Sequence, residues 1–181
     1  MEIRIEQLKA RPRKVVFADS VDSFPALHEL VAAGAVSFRG DIRAELVAEL
    51  IGALVEVEGT LSFTVVLPCS RCLQPAEQRL ELPLVLSFSR QSPQINVSDE
   101  ECELTEDEVG LIVFDGDTID LRSPLEQELL MAVPQHPLCR DDCPGLCPVC
   151  GVDLNQQQCG CSSPQFHGAL AALKNFKIVK D

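Results

Sequence analysis

Between residues 55 and 67, apolar side chains fall on the odd positions Val55, Val57, Leu61, Phe63, Val65 and Leu67, with Glu56, Glu58, Thr60, Ser62 and Thr64 between them. From Ala76 onward the apolar set moves to even positions, Leu80, Leu82, Leu84, Leu86 and Phe88, opposite Glu77, Arg79, Glu81 and Ser87. A period of two buries one face and wets the other, so both segments are expected to be half-buried antiparallel strands. Each is long for a strand, and Gly59 is where a bend or bulge is expected. Pro68 and Pro75 end the pairing and bracket Cys69-Ser70-Arg71-Cys72-Leu73-Gln74, which puts a C-x2-C at the tip of a long hairpin.

The flanking pattern predicts smaller elements. Ile3 to Leu8 alternates weakly, as a short strand would. Pro25 opens a helix through Leu27, Leu30 and Val31 that Gly34 can stop. Val36 to Phe38 reads as a short strand. Residues 42 to 50 fit a strand by their spacing of two; Ile42, Leu46 and Leu50 would also share a helix face, and strand is the better fit. Leu111 to Phe114 and Thr118 to Leu121 flank Asp115-Gly116 and predict a small hairpin. Ser123-Pro124-Leu125-Glu126 has the form of a capping box opening a helix that Pro134 ends, and Ser163-Pro164 opens a last helix through Phe166, Leu170, Leu173 and Phe176. The expected fold class is α+β: mostly antiparallel sheet with a long hairpin, two or three helices and a cysteine-rich carboxyl-terminal segment. Residues 1–181 are read as one domain, with an acidic connector at about 90–109 and the cysteine-rich segment at about 137–162.

Charge limits the partners. The net charge is −13, which argues against a protein that coats nucleic acid by counterion release. Eight Phe with no Trp and no Tyr offer few platforms for stacking bases. The acidity is local. Residues 99 to 120 hold ten of the 28 acidic residues and no Lys or Arg, whereas Arg4, Lys9, Arg11, Arg13 and Lys14 make the first stretch basic and Lys174, Lys177 and Lys180 the last. No apolar run approaches a membrane span, and the start lacks an apolar leader core, so the expected compartment is the cytoplasm.

Nine cysteines change the picture most, since an odd count in a cytosolic chain speaks for metal or redox chemistry rather than a disulfide framework. The late run is Cys139-x3-Cys143-x3-Cys147-x2-Cys150-x8-Cys159-x-Cys161. With Cys69 and Cys72 this makes eight thiols, two sets of four, and leaves Cys102 over as an ordinary free thiol. Cys147, Cys150, Cys159 and Cys161 are local enough to close around one ion. That leaves Cys139 and Cys143 to share a second ion with Cys69 and Cys72, clamping the carboxyl-terminal segment to the hairpin tip. A ribbon-like site joining Cys69 and Cys72 to Cys147 and Cys150 stays open as the alternative. Four thiolates leave no position for substrate or water, so two zinc ions here would be structural. A structural zinc contributes about 10–16 kcal/mol in small peptides, enough to make the polar 139–161 stretch depend on metal for folding.

Catalytic signatures are missing from the sequence. Neither C-x2-C follows a strand and opens a helix, the context that lowers a thiol pKa in thioredoxin-like redox proteins. His28, His136 and His167 join no nucleophile pattern, and there is no phosphate-binding glycine loop. The expectation is a protein that works by binding rather than as an enzyme, with a thiol or zinc redox protein and a zinc-stabilised protein adaptor as the alternatives.

Pro68-Cys69-Ser70-Arg71-Cys72-Leu73, then Glu126 to Pro134, then Pro137-Leu138-Cys139, Asp142-Cys143, Gly145-Leu146-Cys147-Pro148-Val149-Cys150-Gly151-Val152-Asp153-Leu154-Asn155 and Cys159-Gly160-Cys161 resemble the YceD family of large ribosomal RNA subunit accumulation proteins, in the same order from about residue 40 onward. The resemblance implies a non-enzymatic factor for accumulation of 23S-type ribosomal RNA, in ribosome biogenesis, with no membrane and no small-molecule substrate. It also favours the first division of the cysteines. Partners would be the large-subunit RNA or pre-ribosome, met directly or through basic ribosomal proteins drawn to the acidic connector. Given the net charge, RNA contact would need a restricted basic surface, for which Arg71, Arg140, Lys174 and Lys177 are weak candidates.

Overall fold

The computed structural model describes residues 1–90 and 110–162. The order is β1 (Glu2–Arg4), a 3-10 turn, β2 (Arg13–Asp19), a second 3-10 turn, α1 (Pro25–Ala32), β3 (Ser37–Phe38), β4 (Ile42–Ile51), β5 (Leu54–Pro68), β6 (Pro75–Ser89), β7 (Leu111–Val113), β8 (Thr118–Asp120) and α2 (Arg122–Ala132). The chain divides into two compact units. One holds residues 1–67 and 77–135; the other holds the hairpin tip, Pro68–Ala76, and the chain from His136 onward.

The first unit is built on a mostly antiparallel sheet in the order β2-β4-β5-β6-β7, with β3 also on β5. Alternation does what it predicts in β4: Ile42, Ala44, Leu46 and Ala48 are buried while Arg43, Glu45, Val47 and Glu49 face water. Phe24 and Leu27 of the α1 region and Leu125 and Leu129 of α2 are fully buried in the same core. Burying a leucine stabilises a fold by about 1.5–3 kcal/mol, so these few anchors outweigh the modest propensity of two short helices. The β4–β5 ladder is continuous across Leu46↔Gly59, so no bulge interrupts that pairing. Glycine serves close approach instead: a Cβ at Gly59 would lie 2.1 Å from the Glu45 carbonyl oxygen.

Three expectations need correction here, and one strand is new. The first strand stops at Arg4, and Ile5–Gln7 winds into a 3-10 turn that buries Ile5. Strand β2 is unanticipated; its half-buried Val15 and Phe17 sit among cations and beside an exposed Val16, which blurs the period. Residues 111–121 form no hairpin. β7 pairs in parallel with β6, and β8 pairs antiparallel with β1 in a separate two-stranded sheet. The capping box is not made either: α2 starts at Arg122 with Leu121 as its uncapped N-cap residue, and the Arg122 N–H donates to the Asp120 carboxylate at 3.0 Å. The Glu126 carboxylate instead accepts the Ala26 N–H at 2.6 Å, in the first turn of α1. The last helix, expected from Ser163, and the acidic connector lie outside the described residues.

Candidate metal centres

Among the described residues, the second unit buries few apolar side chains, and tight turns organise it. At the hairpin tip the Leu73 N–H donates to the Cys69 carbonyl at 2.9 Å. At the later C-x2-C the Gly151 N–H donates to the Cys147 carbonyl at 2.8 Å. Each turn ends on a left-handed residue, Gly151 at φ +75 and Leu73 at φ +62. Glycine adopts that conformation freely, whereas a leucine there is strained. The two loops are therefore the same knuckle, built once on the expected glycine and once on a leucine.

Backbone bonds bring the sequence-distant parts together. Ser70 N–H donates to the Pro137 carbonyl at 2.8 Å and Leu146 N–H to the Arg71 carbonyl at 3.0 Å. A Cβ on Gly145 would stand 2.9 Å from that same Arg71 oxygen, so the approach needs glycine. The Arg71 guanidinium donates to the Cys143 carbonyl at 2.9 Å and to that of Asp141 at 3.3 Å. It stitches the 139–143 loop to the tip. Arg140 pairs with Asp142 at 3.2 Å. Lys174 and Lys177 lie outside the described residues.

These contacts gather eight sulfurs into two groups, Cys69/Cys72/Cys139/Cys143 and Cys147/Cys150/Cys159/Cys161, each with its sulfurs within 4.8 Å of one another. The ribbon-like alternative is not the grouping found: Cys147 and Cys150 sit with Cys159 and Cys161, not with Cys69 and Cys72. Sulfurs at about 2.3 Å from a tetrahedral metal stand roughly 3.8 Å apart. Cys69 to Cys143 is 3.9 Å and Cys72 to Cys139 is 3.6 Å, far beyond the ~2.05 Å of a disulfide. The residues fit a four-thiolate ion. In the first group only Cys139 is exposed; in the second only Cys147 is buried.

Electrostatics points the same way. Burial pushes the Cys69 thiol up, but the backbone N–H groups of Arg71, Cys139 and Cys72 outweigh it and bring it to about 6. The N–H groups of Cys150 and Val149 bring Cys147 to about 6 as well. Although Cys139 is exposed as a residue, desolvation at its sulfur and its sulfur neighbours push it up to about 12. Cys161, also exposed as a residue, is pushed up to about 12, first by its bond to Cys150 and then by desolvation at its sulfur. Each group thus holds a ready thiolate beside a thiol kept protonated by desolvation and by its neighbouring sulfurs. A dication would reverse that cost. The donor that sequence reasoning missed is Asn155, whose side-chain amide reaches the Cys143 sulfur at 3.4 Å and lowers its pKa. Asp153 orients Asn155 by accepting both its backbone N–H and its side-chain amide, at 2.9 and 2.7 Å.

Fold and sulfur geometry define a small α+β protein with two four-cysteine groups that could hold metal ions. The family model described as Large ribosomal RNA subunit accumulation protein YceD matches residues 57–177, and the chain belongs to that family. It is 42% identical over 114 residues to proteins of Mycobacterium tuberculosis and Mycobacterium bovis called uncharacterized, covering 63% of this chain and 50% of theirs. A protein of Mycobacterium leprae is 34% identical over 119 residues, covering 66% of this chain and 52% of its own. The chain thus spans about half the length of these curated relatives. No solved structure matches.

Proposed function

We propose that this protein is a non-enzymatic, cytoplasmic factor that promotes accumulation of 23S-type ribosomal RNA during large-subunit assembly. Two structural zinc ions would be held by Cys69, Cys72, Cys139 and Cys143 and by Cys147, Cys150, Cys159 and Cys161. The observation that carries the reading is the family match over residues 57–177, a stretch that contains all eight of these cysteines. Zinc, when bound, supplies a closed four-thiolate cross-link. The chain's own residues do the rest: Arg71 holds the 139–143 loop, and Asn155 steadies the Cys143 sulfur. The partner is the pre-ribosome, met through RNA or through basic ribosomal proteins attracted by the acidic 99–120 stretch.

The test is the ratio of large- to small-subunit ribosomal RNA in cells depleted of the protein. The ratio is expected to fall, to recover with the wild-type chain, and to stay low with Cys69→Ala. A ratio unchanged under full depletion would overturn the reading.

A further inference from the structure

We propose that the open face of the six-stranded sheet carries a phosphate-binding patch, formed by Arg39, Arg43 and Arg79 around the hydroxyls of Ser62 and Thr64, that takes the phosphodiester backbone of double-helical RNA. The identification of RNA as the source of the phosphate rests on the accumulation role proposed above. The five residues line one shallow cavity of about 220 Å³ within the first unit. Arg43 stands opposite Ser62 in the β4–β5 register, and Arg39 N–H donates to the Thr64 carbonyl at 2.9 Å. Both arginines therefore reach β5 from one edge, while Arg79 belongs to β6, its neighbour on the other. Guanidinium groups flank the two hydroxyls from both sides.

The patch has donors to spare. Within the described residues, the Arg43 guanidinium and the Ser62 and Thr64 hydroxyls make no side-chain hydrogen bond or ion pair. Arg39 pairs with Glu77 at 2.7 Å and Arg79 with Glu81 at 2.8 Å. Those side chains are 69% and 74% exposed, and ion pairs that wet are weak and exchange readily for a forked anionic acceptor such as a phosphodiester. One carboxylate, Asp41, lines the cavity against three guanidinium groups. Toward the β4–β5 turn the same face becomes acidic: Glu58 comes first, then Glu49 and Glu56 directly opposite each other. A polyanion is thereby confined to the arginine end.

Two features select the ligand. No exposed large apolar side chain lines the cavity, and protein interfaces draw most of their energy from such anchors. No Trp or Tyr exists in the chain to stack an unpaired base. Recognition through guanidinium and hydroxyl donors alone suits the phosphates and 2′-hydroxyls of a duplex. Sequence-blind contact of this kind also reconciles a net charge of −13 with RNA: three placed cations suffice locally where the whole chain repels.

The test uses the full-length chain and a short labelled RNA duplex, with affinity measured across a salt series. Wild type should show a log–log slope near −3, each Arg→Gln change should reduce its magnitude by about one, and R39Q/R43Q/R79Q should weaken binding tenfold or more. The double variant E77Q/E81Q, which frees Arg39 and Arg79, should bind more tightly, a gain that misfolding would not produce. Equal binding by the triple variant, or no binding by wild type, overturns the patch. Inorganic phosphate shifting the amide resonances of Arg43, Ser62 and Thr64 while the duplex does not would make it a site for free phosphate and overturn the RNA assignment. An acidic peptide held by the same arginines in place of the duplex would do so too. If the triple variant loses duplex binding yet restores the ribosomal RNA ratio in depleted cells, the patch is overturned as the route to function and the accumulation reading survives. If depletion leaves the ratio unchanged, the accumulation reading fails by itself.

Discussion

The side-chain amide of Asn155 donates to the sulfur of Cys143 at 3.4 Å, so a residue from the loop between Cys150 and Cys159 supports a sulfur of the other cysteine group. The two groups are coupled through that bond. Its loss in Asn155→Ala should return the Cys143 thiol toward its ordinary, higher pKa and weaken metal at the first group by about 10–100-fold. Chelator competition would show two classes of site separating in the variant. Affinity changing equally at both groups would contradict this assignment.

Metal binding should be strongly pH-dependent, with a definite sign. Cys139 and Cys161, both near 12 in the metal-free chain, carry protons at neutral pH that a metal must displace. Cys69 and Cys147, near 6, have mostly lost theirs by then. Loading should therefore release protons, at least one from each group. The stabilisation it brings is present at neutral and alkaline pH and lost as pH falls. Titration calorimetry in buffers of different ionisation enthalpy measures the release, and chelator exchange should be easier at pH 6 than at pH 8.

Removing the metal should act on one unit. Chelation is expected to raise amide exchange across 69–74 and 137–161, where few apolar side chains are buried, and to leave β4, β5 up to Leu67 and α2 protected. Exchange rising equally in β4 would show that the sheet also depends on the metal.

The paired knuckles give a comparison inside one molecule. Leu73→Gly should stabilise its turn by about 1 kcal/mol by relieving the left-handed leucine, and Gly151→Ala should cost about as much. Thermal unfolding of the metal-loaded chain tests both. Leu73 is 65% exposed, so little packing is lost in the exchange.

What was legible in the sequence follows from what each signal encodes. Alternation in 55–67 and 76–88 reports burial directly, and both strands are where it puts them. Cysteine spacing reports which thiols can meet, and the two groups of four match the division it favoured. Signals that depend on a distant partner failed. Asp115-Gly116 is a turn pair, but the strands beside it pair with β6 and β1 instead of each other. Glu126 has the spacing of a capping residue for its own helix, yet caps α1 a hundred residues earlier. Asn155 and the trio Arg39, Arg43 and Arg79 acquire meaning only once the fold has placed their neighbours.

Metal stoichiometry of the full-length chain by native mass spectrometry tests the central claim most directly. The account predicts two zinc ions per chain, one after Cys147→Ser with Cys150→Ser, and one after Cys69→Ser with Cys72→Ser. One ion in the wild type, lost completely when either pair is changed, would point to a single shared site and contradict the two closed groups.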